Sequence, residues 1–183
     1  MFDSFEIVAV SDLLPERARA AADEHGIERV ATPQEIFAAD DIDLVLNLTV
    51  PDAHVEVGLA AIEAGKHVYS EKPLATQKSD GEKLAKAAAE RGLRVGCAPD
   101  TFMGAGAQTA RHILDSGTIG RPVAAAAWMA HRGPERFHPA PDFFYKPGGG
   151  PLFDMGPYFL SVLVDLLGPV RRVCASAGTT FPE

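Results

Sequence analysis

Four short apolar runs separated by helical intervals set the architecture open to this chain. Residues 5–10, 43–49, 67–70 and 93–98 are each rich in apolar or β-prone side chains, and each ends at turn or charged residues. Compact runs without polar alternation are the mark of strands buried on both faces. The intervals between them read as helices. Pro15 opens one over residues 16–25, with Gly26 at the left-handed cap position. Thr32-Pro33-Gln34-Glu35 has capping-box spacing and starts a short helix to about Ala39. A third spans 51–64 before Gly65, and Ser79-Asp80-Gly81-Glu82 reads as a second capping box, opening a helix that ends at Arg91-Gly92. Strands alternating with helices of this length imply βαβ units and a parallel sheet, so the expected fold class is α/β.

The rhythm changes near Pro99. A helix is expected over 105–116 with Gly117 after it, then an extended run over 121–132 through Trp128. A loop follows that holds Phe137, His138, Phe143, Phe144 and Tyr145 among prolines, and it leads to Gly148-Gly149-Gly150. An apolar helix over 151–167 is stopped by Gly168-Pro169, and 170–179 begins another strand. The expected domains are residues 1–100, a partial dinucleotide-binding unit, and 101–183, the opening of a second α/β unit.

Composition narrows the partners. With 46% hydrophobic and 23% charged residues the chain has the balance of a globular protein, and 183 residues suffice for a sizeable core. A formal net charge of -8 and the lack of any Lys/Arg-rich run argue against nucleic acid or anionic membrane as partner, which leaves a small molecule. Cys97 and Cys174 are too few for a disulfide scaffold or a four-ligand metal site. No apolar run approaches the ~20 residues needed to cross a bilayer, and Met1-Phe2-Asp3-Ser4 does not read as a signal peptide. A cytoplasmic location is expected.

A dinucleotide-binding sheet ordinarily begins with a strand, a Gly-x-Gly-x-x-Gly turn and a helix whose N-terminus meets the pyrophosphate. Neither Gly104-Ala105-Gly106 nor Gly148-Gly149-Gly150 has that spacing and context. The run over 5–10 looks instead like the second strand of such a unit, because an acid, Asp12, stands at its end where a ribose would be bound. The missing first strand is central in the usual order, so the runs over 5–10 and 43–49 would lack the neighbour that belongs between them. The chain therefore reads as a fragment. A truncated, non-catalytic remnant and a binding module completed by a strand in trans stand as alternatives to an independent enzyme.

Chemistry concentrates at Glu71-Lys72-Pro73, directly after a strand, where α/β proteins present functional side chains. An apolar or cationic setting would tune Lys72 for proton transfer, and a long stem lets it reach a substrate hydroxyl; a solvated lysine is the other reading. Asp154 and Tyr158 lie four apart and share a helix face. They could orient hydroxyls or assist proton transfer, or serve as a helix-terminal charge and a core residue with a wet tip. His131 and His138 flank the aromatic loop as candidate pocket residues, and His54 could approach a cofactor. His25, His67 and His112 read as structural, Cys97 as packing, and no spacing suggests zinc.

Together these residues resemble the Gfo/Idh/MocA oxidoreductases, the family of glucose-fructose oxidoreductase and inositol dehydrogenase. The resemblance rests on Ala9-Val10-Ser11-Asp12 with Pro15-Glu16-Arg17-Ala18, on residues 63–75 around Glu71-Lys72-Pro73, and on residues 148–158 from the glycine triplet to Tyr158. It implies a Rossmann domain binding NAD or NADP, followed by a domain whose open sheet usually supports homo-oligomers. It implies that Lys72 is the catalytic lysine acting on a sugar or polyol hydroxyl during hydride transfer, with Asp154 and Tyr158 beside it. Tyr158 replaces the histidine of most members. Thr49 and His54 fit the family's cofactor segment, with Val50 and Pro51 replacing its Pro-Asn, and Glu71 and Lys72 complete the implied cofactor contacts. Asp12 matches the ribose-binding acid and favours NAD, because a carboxylate repels a 2′-phosphate. Pro99-Asp100-Thr101-Phe102 departs from the usual Asn-x-Arg-Phe-like segment. The family also holds NAD-dependent glycosidases and biliverdin reductases.

Overall fold

Parallel pairing organises the first hundred residues. The computed structural model describes residues 4–130, 132–136, 138–146 and 148–178. Its strands fall into two groups. β3 (Leu44–Asn47), β4 (His67–Glu71) and β5 (Val95–Ala98) form a three-stranded parallel sheet in which Asn47 lies beside Ser70 and Glu71 beside Ala98. β1 (Ala9–Val10) pairs in parallel with β2 (Arg29–Val30) alone. Among the described residues no ladder joins β1 to β3, which is where the sequence leaves a neighbour out.

Four helices follow their strands as the caps dictate. α1 (Pro15–His25) starts with proline in its first turn and closes on Gly26 at φ 69°, a conformation a Cβ would oppose. α2 (Pro33–Ala38) carries the full reciprocal box: Glu35 N–H donates to the Thr32 hydroxyl, and the Glu35 carboxylate accepts from Thr32 N–H at 2.7 Å. The expected 51–64 helix divides into a 3₁₀ turn at Pro51–Ala53 and α3 (His54–Glu63). α4 (Lys78–Glu90) begins ahead of Ser79, with Gln77 as an uncapped N-terminal residue, so the second expected capping box does not form.

α3 and α4 cover one face of the three-stranded sheet. Ala61 and Ile62 from α3, Leu84 and Ala88 from α4, and Val68 from β4 make the principal buried cluster. Leu84 and Ala88 are four apart and thus on one face of α4. Alternation along β4 sends Val68 and Ser70 into this layer and leaves His67, Tyr69 and Glu71 less buried. A depression of about 600 Å³, lined by Leu44, Tyr69, Arg94 and Gly96 among others, remains at the sheet. The chemistry described below sits elsewhere, at the carboxyl ends of the strands.

Beyond residue 100, α5 (Ala105–Asp115) packs on α7 (Gly156–Leu167), and a 3₁₀ turn at Thr101–Met103 touches both. Arg111 on α5 donates to the carbonyls of Asp165 and Leu166 at 2.8 and 3.0 Å, meeting acceptors left open at the C-terminal end of α7. Three expectations fail here. Residues 121–130 and 170–178 form no strand, and Val123, Trp128 and Val173 stand largely in solvent. A β-prone sequence needs a pairing partner before it becomes a strand, and none lies alongside among the described residues. The expected 151–167 helix breaks at Met155 into α6 (Gly150–Asp154) and α7, because Pro157 has no N–H to continue the ladder. His131 lies outside the described residues.

The buried cluster carries the stability of the sheet half. Leu84→Ala is expected to lower the unfolding free energy by ~2–5 kcal/mol through lost transfer energy and a residual cavity. Truncation of the exposed Leu13 should change it by less than ~0.5 kcal/mol. Paired urea titrations check this contrast.

Candidate active site

The carboxyl ends of parallel strands are where α/β sheets bind ligands, and β4 delivers Glu71 and Lys72 there. The Lys72 ammonium is engaged by a residue 82 positions later: Nζ donates to Asp154 Oδ1 at 2.6 Å and to the Asp154 main-chain carbonyl at 2.8 Å. Both side chains are largely buried, at 15% and 17% exposure. Nζ also lies 5.3 Å from the centroid of the Tyr158 ring, within range for a cation–π contact. An ammonium has three protons; two are directed at Asp154, which leaves one for a further acceptor.

The break at Met155 does not separate Asp154 from Tyr158. Asp154 ends α6 and Tyr158 lies in the first turn of α7, where its N–H donates to the Met155 carbonyl at 3.2 Å. Both reach Lys72 from opposite sides of the break. The segment before them is held where side chains cannot fit. A Cβ on Gly148 would stand 2.2 Å from Thr76 Cγ2, and one on Gly149 would stand 2.4 Å from the Phe143 carbonyl oxygen. Gly148 therefore brings its backbone against the stretch that follows Lys72, and Gly149 brings its own against the aromatic loop.

A second group of predicted residues gathers beside β3. Asn47, its last residue, is buried and donates through Nδ2 to the His54 carbonyl at 2.9 Å, while its Oδ1 accepts from the Thr49 hydroxyl at 2.7 Å. His54 is 1% exposed. Its Nδ1 lies 2.6 Å from the Pro73 carbonyl oxygen and its Nε2 2.8 Å from that of Thr49. Both ring nitrogens are thus directed at backbone oxygens. Thr49 is exposed just beyond the strand end. Glu71 accepts the Lys72 main-chain N–H at 2.9 Å. Asp12 is exposed at the end of β1 and accepts Leu14 N–H at 2.8 Å, bracing the turn into α1.

Sequence reasoning missed Asn47, although a lone amide closing the run Leu44-Val45-Leu46 was the available signal. His138 packs edge-on against Phe143 and Phe144 at 5.1 and 5.3 Å. That aromatic loop meets the strand-end segment at an opening of about 170 Å³ lined by Val50, Pro51, Asp52, Phe143, Lys146 and Gly149. Among the described residues no His/Cys/Asp/Glu group could hold a metal, and no helix is long and apolar enough to cross a membrane.

Burial and the negative charges of Glu71, Asp100 and Asp154 push the Tyr158 phenol above its ordinary value. It therefore stays protonated as a hydrogen-bond donor throughout the neutral range. Burial, then the charge of Glu71, push the Cys97 thiol up as well, against a smaller opposing pull from Lys72. That thiol is a packing group, with its S–H directed at the Glu71 carbonyl 3.7 Å away.

Comparison with known proteins decides the family. Residues 1–98 match the model of an oxidoreductase family with an NAD-binding Rossmann fold, and residues 107–183 match the GFO/IDH/MocA C-terminal domain. The chain belongs to the Gfo/Idh/MocA oxidoreductase family. Over 126 residues it is 38% identical to a 1,5-anhydro-D-fructose reductase of Ensifer adhaerens, covering 68% of this chain and 38% of the relative. Over 141 residues it is 37% identical to inositol 2-dehydrogenase 3 of Saccharopolyspora erythraea, covering 74% and 40%. A levoglucosan dehydrogenase solved with NADH and levoglucosan superposes with a TM-score of 0.73 at 25% identity, over 88% of this chain and 44% of that one. The chain thus spans under half the length of these family members. Its mixed α/β fold with parallel sheets covers part of the full Gfo/Idh/MocA architecture.

The folded chain favours the protonated Tyr158 phenol, so the unfolded chain releases that proton first. The phenol's contribution to stability is intact below the ordinary tyrosine value near 10 and is lost as pH rises through the higher folded value. In an ultraviolet phenolate titration, two of the three tyrosines, Tyr145 held by Glu135 and Tyr158, are expected to ionise late, and Tyr158→Phe is expected to remove one of those two late components and leave the other.

Proposed function

We propose that this chain carries the hydride-transfer site of an NAD(P)-dependent dehydrogenase acting on a sugar, cyclitol or related polyol. The observation that carries the reading is the Lys72 ammonium held against Asp154 beside the Tyr158 ring, at the strand ends where a Rossmann sheet meets its ligand. Residues 1–100 serve as the cofactor unit and residues 101–183 as the start of the substrate unit, and the whole protein works as a cytoplasmic homo-oligomer.

The residues present fit part of a dinucleotide. Asp12 and Thr49 both stand at carboxyl ends of parallel strands, with Asp12 suited to the ribose hydroxyls of NAD and Thr49 to the nicotinamide end. Residues 1–183 contain no Gly-x-Gly-x-x-Gly turn for the pyrophosphate. NAD, when bound, supplies the hydride acceptor or donor.

The remaining work falls to side chains of this chain. In the reducing direction Lys72 gives the proton of the N–H not directed at Asp154 to the substrate carbonyl oxygen and is left as the neutral amine; in the oxidising direction the neutral amine takes the substrate hydroxyl proton at that same position and becomes the ammonium. Asp154 fixes the direction of that ammonium and stabilises its charge in a largely dry setting. The Tyr158 phenol, kept protonated, donates to a neighbouring substrate oxygen and orients the carbon that exchanges hydride. A neutral polyol suits a surround that already holds Glu71, Asp100 and Asp154, whereas a phosphorylated one would meet their charge.

Lys72→Met is expected to reduce turnover of an accepted polyol by roughly 10²–10⁴-fold. NADH affinity is measured by fluorescence titration of the same preparation, so that turnover of the two proteins is compared at cofactor saturation. Equal turnover in the two proteins would overturn the role given to Lys72, and the absence of NADH binding to both would overturn the dehydrogenase reading.

A further inference from the structure

We infer that His54 is a positioning residue for Lys72, acting through the main chain that follows the lysine. The inference rests on the proposed function only in treating Lys72 as the working group; the placement of His54 stands on its own distances. The ring projects from the first residue of α3 and is 1% exposed. Its Nδ1 lies 2.6 Å from the carbonyl oxygen of Pro73, the residue directly after Lys72, and its Nε2 lies 2.8 Å from the carbonyl oxygen of Thr49. One side chain therefore spans two segments, the end of β3 and the exit from β4.

The helix start that carries the ring is itself fixed. Asn47 Nδ2 donates to the His54 carbonyl at 2.9 Å, and Asn47 Oδ1 accepts from the Thr49 hydroxyl at 2.7 Å and the Thr49 N–H at 3.4 Å. Asn47, Thr49 and His54 thus close a ring of contacts in which Asn47 and His54 are buried and Thr49 stands at the surface. A ring mounted so rigidly transmits its position to whatever it holds. Displacing the Pro73 carbonyl would displace the Lys72 main chain, and with it the approach of Nζ to Asp154.

Both backbone partners only accept hydrogen bonds. A ring with a proton on each nitrogen donates to both, and a singly protonated ring donates to one. The positioning role belongs to the Nδ1 bond, because Pro73 adjoins the lysine while Thr49 lies on the opposite flank. Amide side chains separate the two bonds. Asparagine places its nitrogen near the site of Nδ1, and glutamine places its nitrogen near the site of Nε2.

The test uses the full chain labelled with ¹⁵N-lysine, the Lys72 ammonium resonance being assigned by its loss in Lys72→Met. In His54→Asn the resonance is expected to stay where it is in the unsubstituted protein. In His54→Gln it should move to the position of the solvent-exposed lysines. Equal displacement in both variants would reduce His54 to a general structural residue and overturn the inference, as would an unmoved resonance in His54→Gln. A second measurement needs no variant: the ¹⁵N spectrum of the imidazole rings should show a slowly exchanging proton on His54 Nδ1, and a ring protonated on Nε2 alone would overturn it. NADH titration of the same samples separates the two readings. Failure to bind NADH with the lysine resonance behaving as stated would sink the dehydrogenase proposal and leave the role of His54 intact.

Discussion

The contact between Lys72 and Asp154 joins parts of the chain that have little else to hold them in register. A carboxylate and an ammonium 2.6 Å apart and mostly removed from water depend on each other, since loss of either strands the other's charge in a poorly solvated place. The pair therefore demands that the end of β4 and the end of α6 arrive together. Gly148 and Gly149 permit that arrival by letting backbone replace side chain at the crossing. Tyr158 follows because α7 restarts two residues after Asp154.

Two networks meet at the Lys72-Pro73 bond. On one side the ammonium answers to Asp154; on the other the Pro73 carbonyl answers to His54 and, through it, to Asn47 and Thr49. The lysine is thus constrained at its tip and at its main chain. Orientation of this kind is what converts an ordinary ammonium into a placed proton donor, because the geometric cost is met by the fold before any substrate arrives.

Elements governed by local chemistry were legible in the sequence. The Thr32–Glu35 box, the proline at the start of α1 and the Gly26 cap depend on neighbours within a few residues, and β3, β4 and β5 announce themselves as compact apolar runs; each stands near its expected place. What depended on distant partners was not. Residues 121–130 and 170–178 carry strand composition without a strand beside them, and Arg29–Val30 became a strand only because β1 lay next to it. The pairing of Lys72 with Asp154 could be anticipated from the family resemblance, but not the second bond to the Asp154 main-chain carbonyl. Nor could periodicity announce that His54 would turn both nitrogens inward. Burial of a polar side chain is a property of the assembled layers, and a sequence run shows only that the residue is there.

The confinement of the buried cluster to the α3, α4 and β4 layer has a thermal consequence. The heat-capacity change of unfolding grows with the apolar surface newly hydrated, and this chain keeps Leu46, Leu48, Trp128, Leu152 and Val173 substantially hydrated while folded. Its heat-capacity increment should therefore fall below that of a fully packed chain of the same length. The stability curve would be correspondingly flat, with a shallow maximum and a broad melting transition rather than a sharp one.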